Sequence, residues 1–174
     1  MADASPPPVP FLRRELLTAH LAAAAIAAHV VESLLPGVGP WFKPGLANIF
    51  SLVACFHVGL EAAVAVTLIR VVVGSLAVGS FLTPGFFLAL SGAIGALGVM
   101  ALTRRFPALG PAGVSVLAAL AHMTGQVLAA WGLFVGHGGL LHALPWFLAG
   151  SWATGLINGV LTFLLLERLE KYQA

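Results

Sequence analysis

The sequence predicts an all-α protein that crosses a membrane six times as a bundle of helices. Of its 174 residues, 60% are hydrophobic and only 8% are charged, and its mean hydropathy is +1.02. An ordinary soluble domain is about 45–50% apolar and about 25% charged. The composition therefore excludes a soluble enzyme, a nucleic-acid-binding domain and a disordered chain. The apolar runs are also continuous, which favours helices over the alternating strands of a membrane β-barrel.

The apolar runs divide into six predicted spans, because a bilayer core about 30 Å thick takes about 20 helical residues to cross. Proline and glycine between the runs predict the turns. The spans are, in order, Glu15–Leu35, Pro44–Leu60, Ala62–Phe81, Pro84–Thr103, Ala112–Val135 and Leu144–Leu166. They predict one membrane domain, residues 15–167, between a flexible N-terminal tail, residues 1–14, and a C-terminal tail, residues 168–174.

Basic residues near the span ends predict the orientation. With six spans, three groups fall on one side of the membrane: Arg13 with Arg14, Arg104 with Arg105, and Arg168 with Lys171. Both termini are therefore predicted to be cytoplasmic. The two arginines before the first span also resemble the start of a signal peptide. The following apolar stretch is long enough to cross the bilayer, however, which favours an uncleaved span.

Small residues recur at four-residue spacing, and such residues let helices in lipid approach closely. The pairs and rows are Ser91 with Gly95, Gly92 with Ala96, Gly155 with Gly159, Ala19 with Ala23 and Ala27, and Ala24 with Ala28. Two interpretations stay open: close packing inside the bundle, and docking of the alanine face of the first span against another protein.

Arg70 stands in the middle of the third predicted span. A charged side chain at the bilayer centre costs on the order of 2.5–3.5 kcal/mol even on lenient insertion scales. We therefore expect Arg70 to face the inside of the bundle and to meet an acceptor. Glu32 on the first span, helix carbonyls and a bound anion all remain candidates for that acceptor.

Polar residues, with Arg70 among them, lie at intervals on five of the spans. His122 and Gln126 are four residues apart, so they share a helix face. The candidate substrate-binding residues are Glu32, Lys43, Asn48, Arg70, His122, Gln126 and Asn158. These groups either converge on one internal cavity or satisfy each other within the bundle. No catalytic residue, metal site or cofactor is predicted, and the single Cys55 cannot form a disulfide within the chain.

At these residues the sequence resembles the Gx transporter family, also described as heptaprenyl diphosphate synthase component I. The resemblance rests mainly on KPGLAN, from Lys43 to Asn48, and on the block GVS…H…GQ, from Gly113 to Gln126. It covers most of the chain beyond the N-terminal tail. The family often has asparagine after the histidine of the fifth span, and here Met123 stands at that position.

The resemblance implies a bundle like that of the substrate-binding S components of energy-coupling factor transporters. It implies six helices, cytoplasmic termini and a bacterial inner-membrane location. It also implies that the rows Ala19–Ala23–Ala27 and Ala24–Ala28 dock a membrane coupling subunit that works with cytoplasmic ATPases. The function expected is uptake of a small, anionic or vitamin-like solute, without ATPase activity of its own.

Other functions stay open at this point. Prenyl chain elongation needs clustered aspartates to hold Mg²⁺ on a diphosphate, and the chain contains a single aspartate, Asp3, so we expect no enzyme activity. A membrane subunit of a flavin- or quinone-linked electron-transfer complex is one alternative. An accessory protein of isoprenoid metabolism, or a scaffold without a ligand, are others.

Overall fold

The computed structural model describes residues 9–34, 45–106 and 108–171, and these residues form helices without any strand. The first half of the chain contains α1 (Val9–Leu34), α2 (Ala47–Val53) and α3 (Leu60–Ala77). The second half contains α4 (Pro84–Thr103), α5 (Pro111–Ala129), the short α6 (Gly139–His142) and α7 (Leu144–Lys171). Helix α2 continues as a π-helix over Ala54–Val58, and α5 does so over Ala130–Val135.

Within this part of the chain, five helices are long and apolar enough to cross a membrane, and they confirm an all-α, multi-pass membrane protein. They are Leu12–Leu34, Leu60–Ala77, Pro84–Thr103, Pro111–Val135 and Leu144–Lys171. The second predicted span corresponds to the shorter apolar helix Ala47–Val58. The count of six crossings and the cytoplasmic position of both termini therefore stay predictions.

The first and last helices are longer than the predicted spans. Helix α1 begins at Val9, so residues 9–14, which the sequence assigns to a flexible tail, are helical. Helix α7 continues to Lys171, into the predicted C-terminal tail. Hydropathy places a boundary where charges appear, but arginine, glutamate, leucine and lysine all favour helix. The backbone hydrogen bonding therefore continues past the apolar stretch at both ends.

Apart from the short α6, the described helices form two groups of three. In the first group α1, α2 and α3 pack against each other, and in the second group α5 packs against both α4 and α7. The groups meet along two contacts, α3 with α4 and α2 with α7. The six helices therefore close a ring in the order α1, α3, α4, α5, α7 and α2.

Glycines set the close packing of the second group. A Cβ atom on Gly95 would lie 2.7 Å from the Ala121 carbonyl oxygen, and one on Gly125 would lie 2.7 Å from that of Ser91. A Cβ atom on Gly159 would lie 2.5 Å from the Ala112 Cα. Helices α4 and α7 thus meet α5 backbone to backbone, as small residues permit in membranes. For Gly95 and Gly159, the prediction of packing inside the bundle is confirmed.

An apolar core fills one end of the bundle. It contains Leu17 near the start of α1, Met100 near the end of α4, and Leu166 near the end of α7. The basic residues Arg14 and Arg104 lie just beyond the core at these same ends of α1 and α4. The predicted site residues Glu32, Arg70 and Asn158 lie toward the opposite end of their helices.

An exposed ion pair at this basic end aligns α1 with α3. The Arg14 Nη2 lies 3.0 Å from the Glu61 Oε2, with side chains 49% and 88% exposed. Further along the same two helices, a Cβ atom on Gly74 would lie 2.7 Å from the His29 ring. The two helices therefore run parallel.

Candidate functional site

A cavity of about 610 Å³ occupies the end of the bundle opposite the apolar core. Its wall combines the C-terminal parts of α1, α3 and α5 with the N-terminal parts of α2, α4 and α7. Six predicted site residues line it: Glu32, Asn48, Arg70, His122, Gln126 and Asn158. Lys43, the seventh, lies outside the described residues. The cavity is within the range of about 300–1,000 Å³ that is usual for small-molecule sites.

Glu32 and Arg70 bring opposite charges to this cavity, and both are buried, with exposures of 4% and 6%. The Glu32 carboxylate accepts a hydrogen bond from the backbone N–H of Leu46. It also acts electrostatically on Arg70, but among the described residues the ion pair that forms is the one between Arg14 and Glu61. The Arg70 Nε has no hydrogen-bond partner among the described residues.

Two side chains meet the backbone where α2 begins. Asn158 on α7 donates from Nδ2 to the Gly45 carbonyl oxygen at 3.2 Å, and Glu32 on α1 binds the next residue, Leu46. Gly45 has a left-handed φ of +72°, which favours glycine. A Cβ atom there would also lie 3.1 Å from the Asn48 Nδ2. Asn48 and Asn158 thus share a crowded corner of the cavity.

His122 and Gln126 lie side by side on α5, as their spacing predicts. The Gln126 Nε2 and the His122 Nε2 are 3.0 Å apart. A hydrogen bond therefore joins the two side chains, and its direction depends on the tautomer of the histidine. The Nδ1 has no hydrogen-bond partner among the described residues. The ring lies against Gly92, where an added Cβ would be 2.7 Å from the Nε2.

Apolar side chains also line the cavity on the side of α3 and α4. Val71 and Phe86 line the cavity and belong to a small buried cluster. The Phe86 ring lies 4.9 Å from the Phe81 ring and 5.5 Å from the Phe87 ring, centroid to centroid, in edge-to-face geometry. Met123, which departs from the family pattern, also lines the cavity. Sequence reasoning missed Phe86, because one phenylalanine among many apolar residues gives no signal.

The buried serines of the spans differ in their positions relative to the cavity. Ser115 donates to the Gly155 carbonyl oxygen at 2.7 Å and so joins α5 to α7 outside the cavity. Ser75 and Ser151, in contrast, line the cavity and are buried. These two serines were not predicted, because their hydroxyls are small enough to bond within their own helix and carry little burial cost.

The alanine rows of α1 differ in exposure. Ala19, Ala23 and Ala27 are exposed on the outside of the bundle, while Ala24 and Ala28 are partly buried. Ala28 lines a second, apolar groove of about 370 Å³ between α1, α2 and α7. Its other lining residues are Leu46, Ile49, Phe50, Leu161, Leu164, Leu165 and Arg168.

Comparison with protein-family models gives one match. The model described as heptaprenyl diphosphate synthase component I matches residues 21–165. This range contains the cavity and all seven predicted site residues. Comparison with curated proteins and with solved structures gives no match.

Proposed function

This chain belongs to the family described as heptaprenyl diphosphate synthase component I, and on that premise we propose that it is a substrate-binding membrane subunit. It would take up a small, anionic or vitamin-like solute. The observation that carries the proposal is the Arg70 side chain, which is buried, lines the cavity and lacks a partner at Nε among the described residues. Ionisable residues inside a membrane protein usually mark a ligand path.

The burial cost of Arg70 supports binding over a purely structural role. A structural arginine would normally be paired with a carboxylate or with carbonyl oxygens, because an unsatisfied buried donor costs about 1–3 kcal/mol. Among the described residues, no group meets that cost at the Arg70 Nε. A bound anion would meet it.

The energy for uptake would come from a partner. The sequence has no Gly-x-x-x-x-Gly-Lys-Ser/Thr loop to hold nucleotide phosphates. The exposed row Ala19–Ala23–Ala27 on α1 offers a smooth surface for a membrane coupling subunit with cytoplasmic ATPases. The other exposed apolar side chains would contact the lipid bilayer.

Prenyl transfer by this chain alone is not part of the proposal. Magnesium-dependent chemistry on a diphosphate uses carboxylate ligands. Of the six acidic residues in the chain, which are Asp3, Glu15, Glu32, Glu61, Glu167 and Glu170, Glu32 lines the cavity. Its carboxylate is already bonded to the Leu46 N–H.

The test of the proposed function is to identify small molecules that co-purify with the protein. We expect mass spectrometry of the released contents to find one solute enriched in the wild type. Ala89→Phe, which fills the cavity from α4, should lose that solute. Ala101→Phe is the matched control, because it lies on the same helix with an exposed side chain. Equal solute content in the wild type and in Ala89→Phe would contradict the proposal.

The orientation can be checked by labelling single cysteines in a Cys55→Ala background. Ser80 lines the cavity end, and Arg105 follows α4 at the basic end. We expect a membrane-impermeant maleimide to label Ser80→Cys from outside intact cells, and Arg105→Cys only after the cells are permeabilised. The reverse pattern would place the cavity on the cytoplasmic side.

A further inference from the structure

We infer that the second groove, between α1, α2 and α7, holds one acyl chain of an anionic phospholipid whose phosphate is bound by Arg168. The inference goes beyond the proposed function, because it concerns a different surface of the bundle and holds for any solute in the cavity. It depends on three features of the groove: its position in the bundle, its apolar wall and the charge at one end.

The position of the groove follows from the shortness of one helix. Helices α1 and α7 both pack against the short apolar helix Ala47–Val58 and are much longer than it. On α7 the lining residues extend from Leu161 to Arg168, which is about 10 Å along a helix axis. The groove therefore covers roughly a third of the thickness of a bilayer core, and it ends at the basic end of the bundle.

The wall of the groove is apolar at every lining residue except Arg168. Ile49 is buried, whereas Leu161, Leu164 and Leu165 are 37–48% exposed, so the groove can be reached from outside the bundle. A hydrocarbon chain is the occupant that such a wall accepts without burying an unpaired polar group. A free phosphate ion would leave the apolar wall unused, and this favours a lipid.

Arg168 supplies the charge at the end of this wall. Its side chain is exposed, and in the part of the chain that the structure describes, the ion pair that forms joins Arg14 to Glu61 instead. The guanidinium of Arg168 is therefore available to a ligand. A guanidinium can bind two oxygens of one phosphate group through parallel hydrogen bonds. Its aliphatic stem can lie along the apolar wall while the charge reaches the membrane surface.

The other charges near the end of α7 favour an anionic lipid over a zwitterionic one. Lys171 lies three residues after Arg168, so it shares that helix face and adds a second positive charge. Glu167 and Glu170 lie one and two residues from Arg168, and side chains at those spacings do not face each other. Basic pockets between membrane helices bind anionic lipid headgroups. A zwitterionic lipid would instead bring its own ammonium group close to the two cations.

The test is native mass spectrometry of the purified full-length protein with equal amounts of phosphatidylglycerol and phosphatidylcholine that carry the same acyl chains. We expect the wild type to retain mainly phosphatidylglycerol. Arg168→Met should lower the ratio of retained phosphatidylglycerol to phosphatidylcholine about fivefold, the contribution expected of one basic residue near an anionic lipid surface. Arg168→Lys keeps the charge and should keep most of the preference. Ala28→Leu, which narrows the groove from α1, should lower the retention of both lipids.

Matched controls separate this site from general attraction to lipid. Arg105→Met removes one exposed positive charge at the same end of the bundle but away from the groove, and it should leave the lipid ratio unchanged. Ala153→Leu enlarges an exposed alanine of α7 that lines neither the groove nor the cavity, and it should leave total retention unchanged. Because Arg168 is exposed, its replacement should not prevent folding.

Four outcomes would overturn the inference. Two concern the headgroup: equal retention of the two lipids by the wild type, or equal loss of the preference in Arg168→Met and Arg105→Met. The third is unchanged retention of both lipids in Ala28→Leu, which would show that no acyl chain lies in the groove. The fourth is a lipid-free dimer that Ala28→Leu converts to a monomer, which would assign the groove to a second copy of the chain. The proposed function is judged separately by the co-purified solute.

Discussion

Replacing Gly159 with alanine is expected to lower the free energy of unfolding by about 1–3 kcal/mol, the usual cost of overpacking. The new Cβ would lie 2.5 Å from the Ala112 Cα and 3.0 Å from the Ser115 Cβ. The first contact is with backbone, which cannot rotate out of the way as a side chain can. Helices α5 and α7 would therefore have to move apart along their whole contact.

The measurement is unfolding of the purified protein in mixed micelles, followed by tryptophan fluorescence. Gly98→Ala is the matched control, because it is on α4 and an added Cβ there meets nothing within 4 Å. Alanine favours helix over glycine by about 0.5–1 kcal/mol, so the control should lose no stability. Equal effects of the two substitutions would show that the close approach of α5 and α7 is wrong.

Replacing Glu32 with glutamine is expected to lower the free energy of unfolding by about 2 kcal/mol. Glutamine keeps an oxygen that can accept the Leu46 N–H but removes the charge that compensates Arg70. Removing one partner of a buried ion pair costs about 3–5 kcal/mol. The effect should be smaller here, because Glu32 acts on Arg70 without an ion pair between them.

A double-mutant cycle isolates this electrostatic effect. In an Arg70→Met background, Glu32→Gln should cost clearly less than it does in the wild type. Glu61→Gln is the matched control, since Glu61 is the exposed partner of Arg14 and exposed ion pairs contribute little. If Glu32→Gln lowers the free energy of unfolding equally with and without Arg70, then the two charges are not coupled. The stability of the protein would then not depend on their balance.

Parts of the fold could be predicted because they depend on local sequence. Pro84 at the start of α4 and Arg104 after its end mark a span whose bounds are those of the helix. The third predicted span ends at Phe81, beyond the end of α3, because hydropathy takes no account of the turn at Gly79. That residue has a φ of +70°, two positions beyond the end of α3 at Ala77.

The site could be predicted as a set of residues but not as a set of bonds. The pair His122 and Gln126 follows from spacing on one helix. The bonds from Asn158 to Gly45 and from Leu46 to Glu32 join separate helices. Such bonds depend on how each helix is rotated toward its neighbours, and that rotation is set by contacts between residues far apart in the sequence.

The cavity lies along the seam between the two groups of three helices. Arg70 belongs to the first group and His122 to the second, and both line the cavity, so a solute bound there would contact both groups. Ligand that binds only the folded state stabilises it by about 2.7 kcal/mol at a hundredfold excess over Kd. The empty protein would then behave as two loosely coupled cooperative units, and the occupied protein as one.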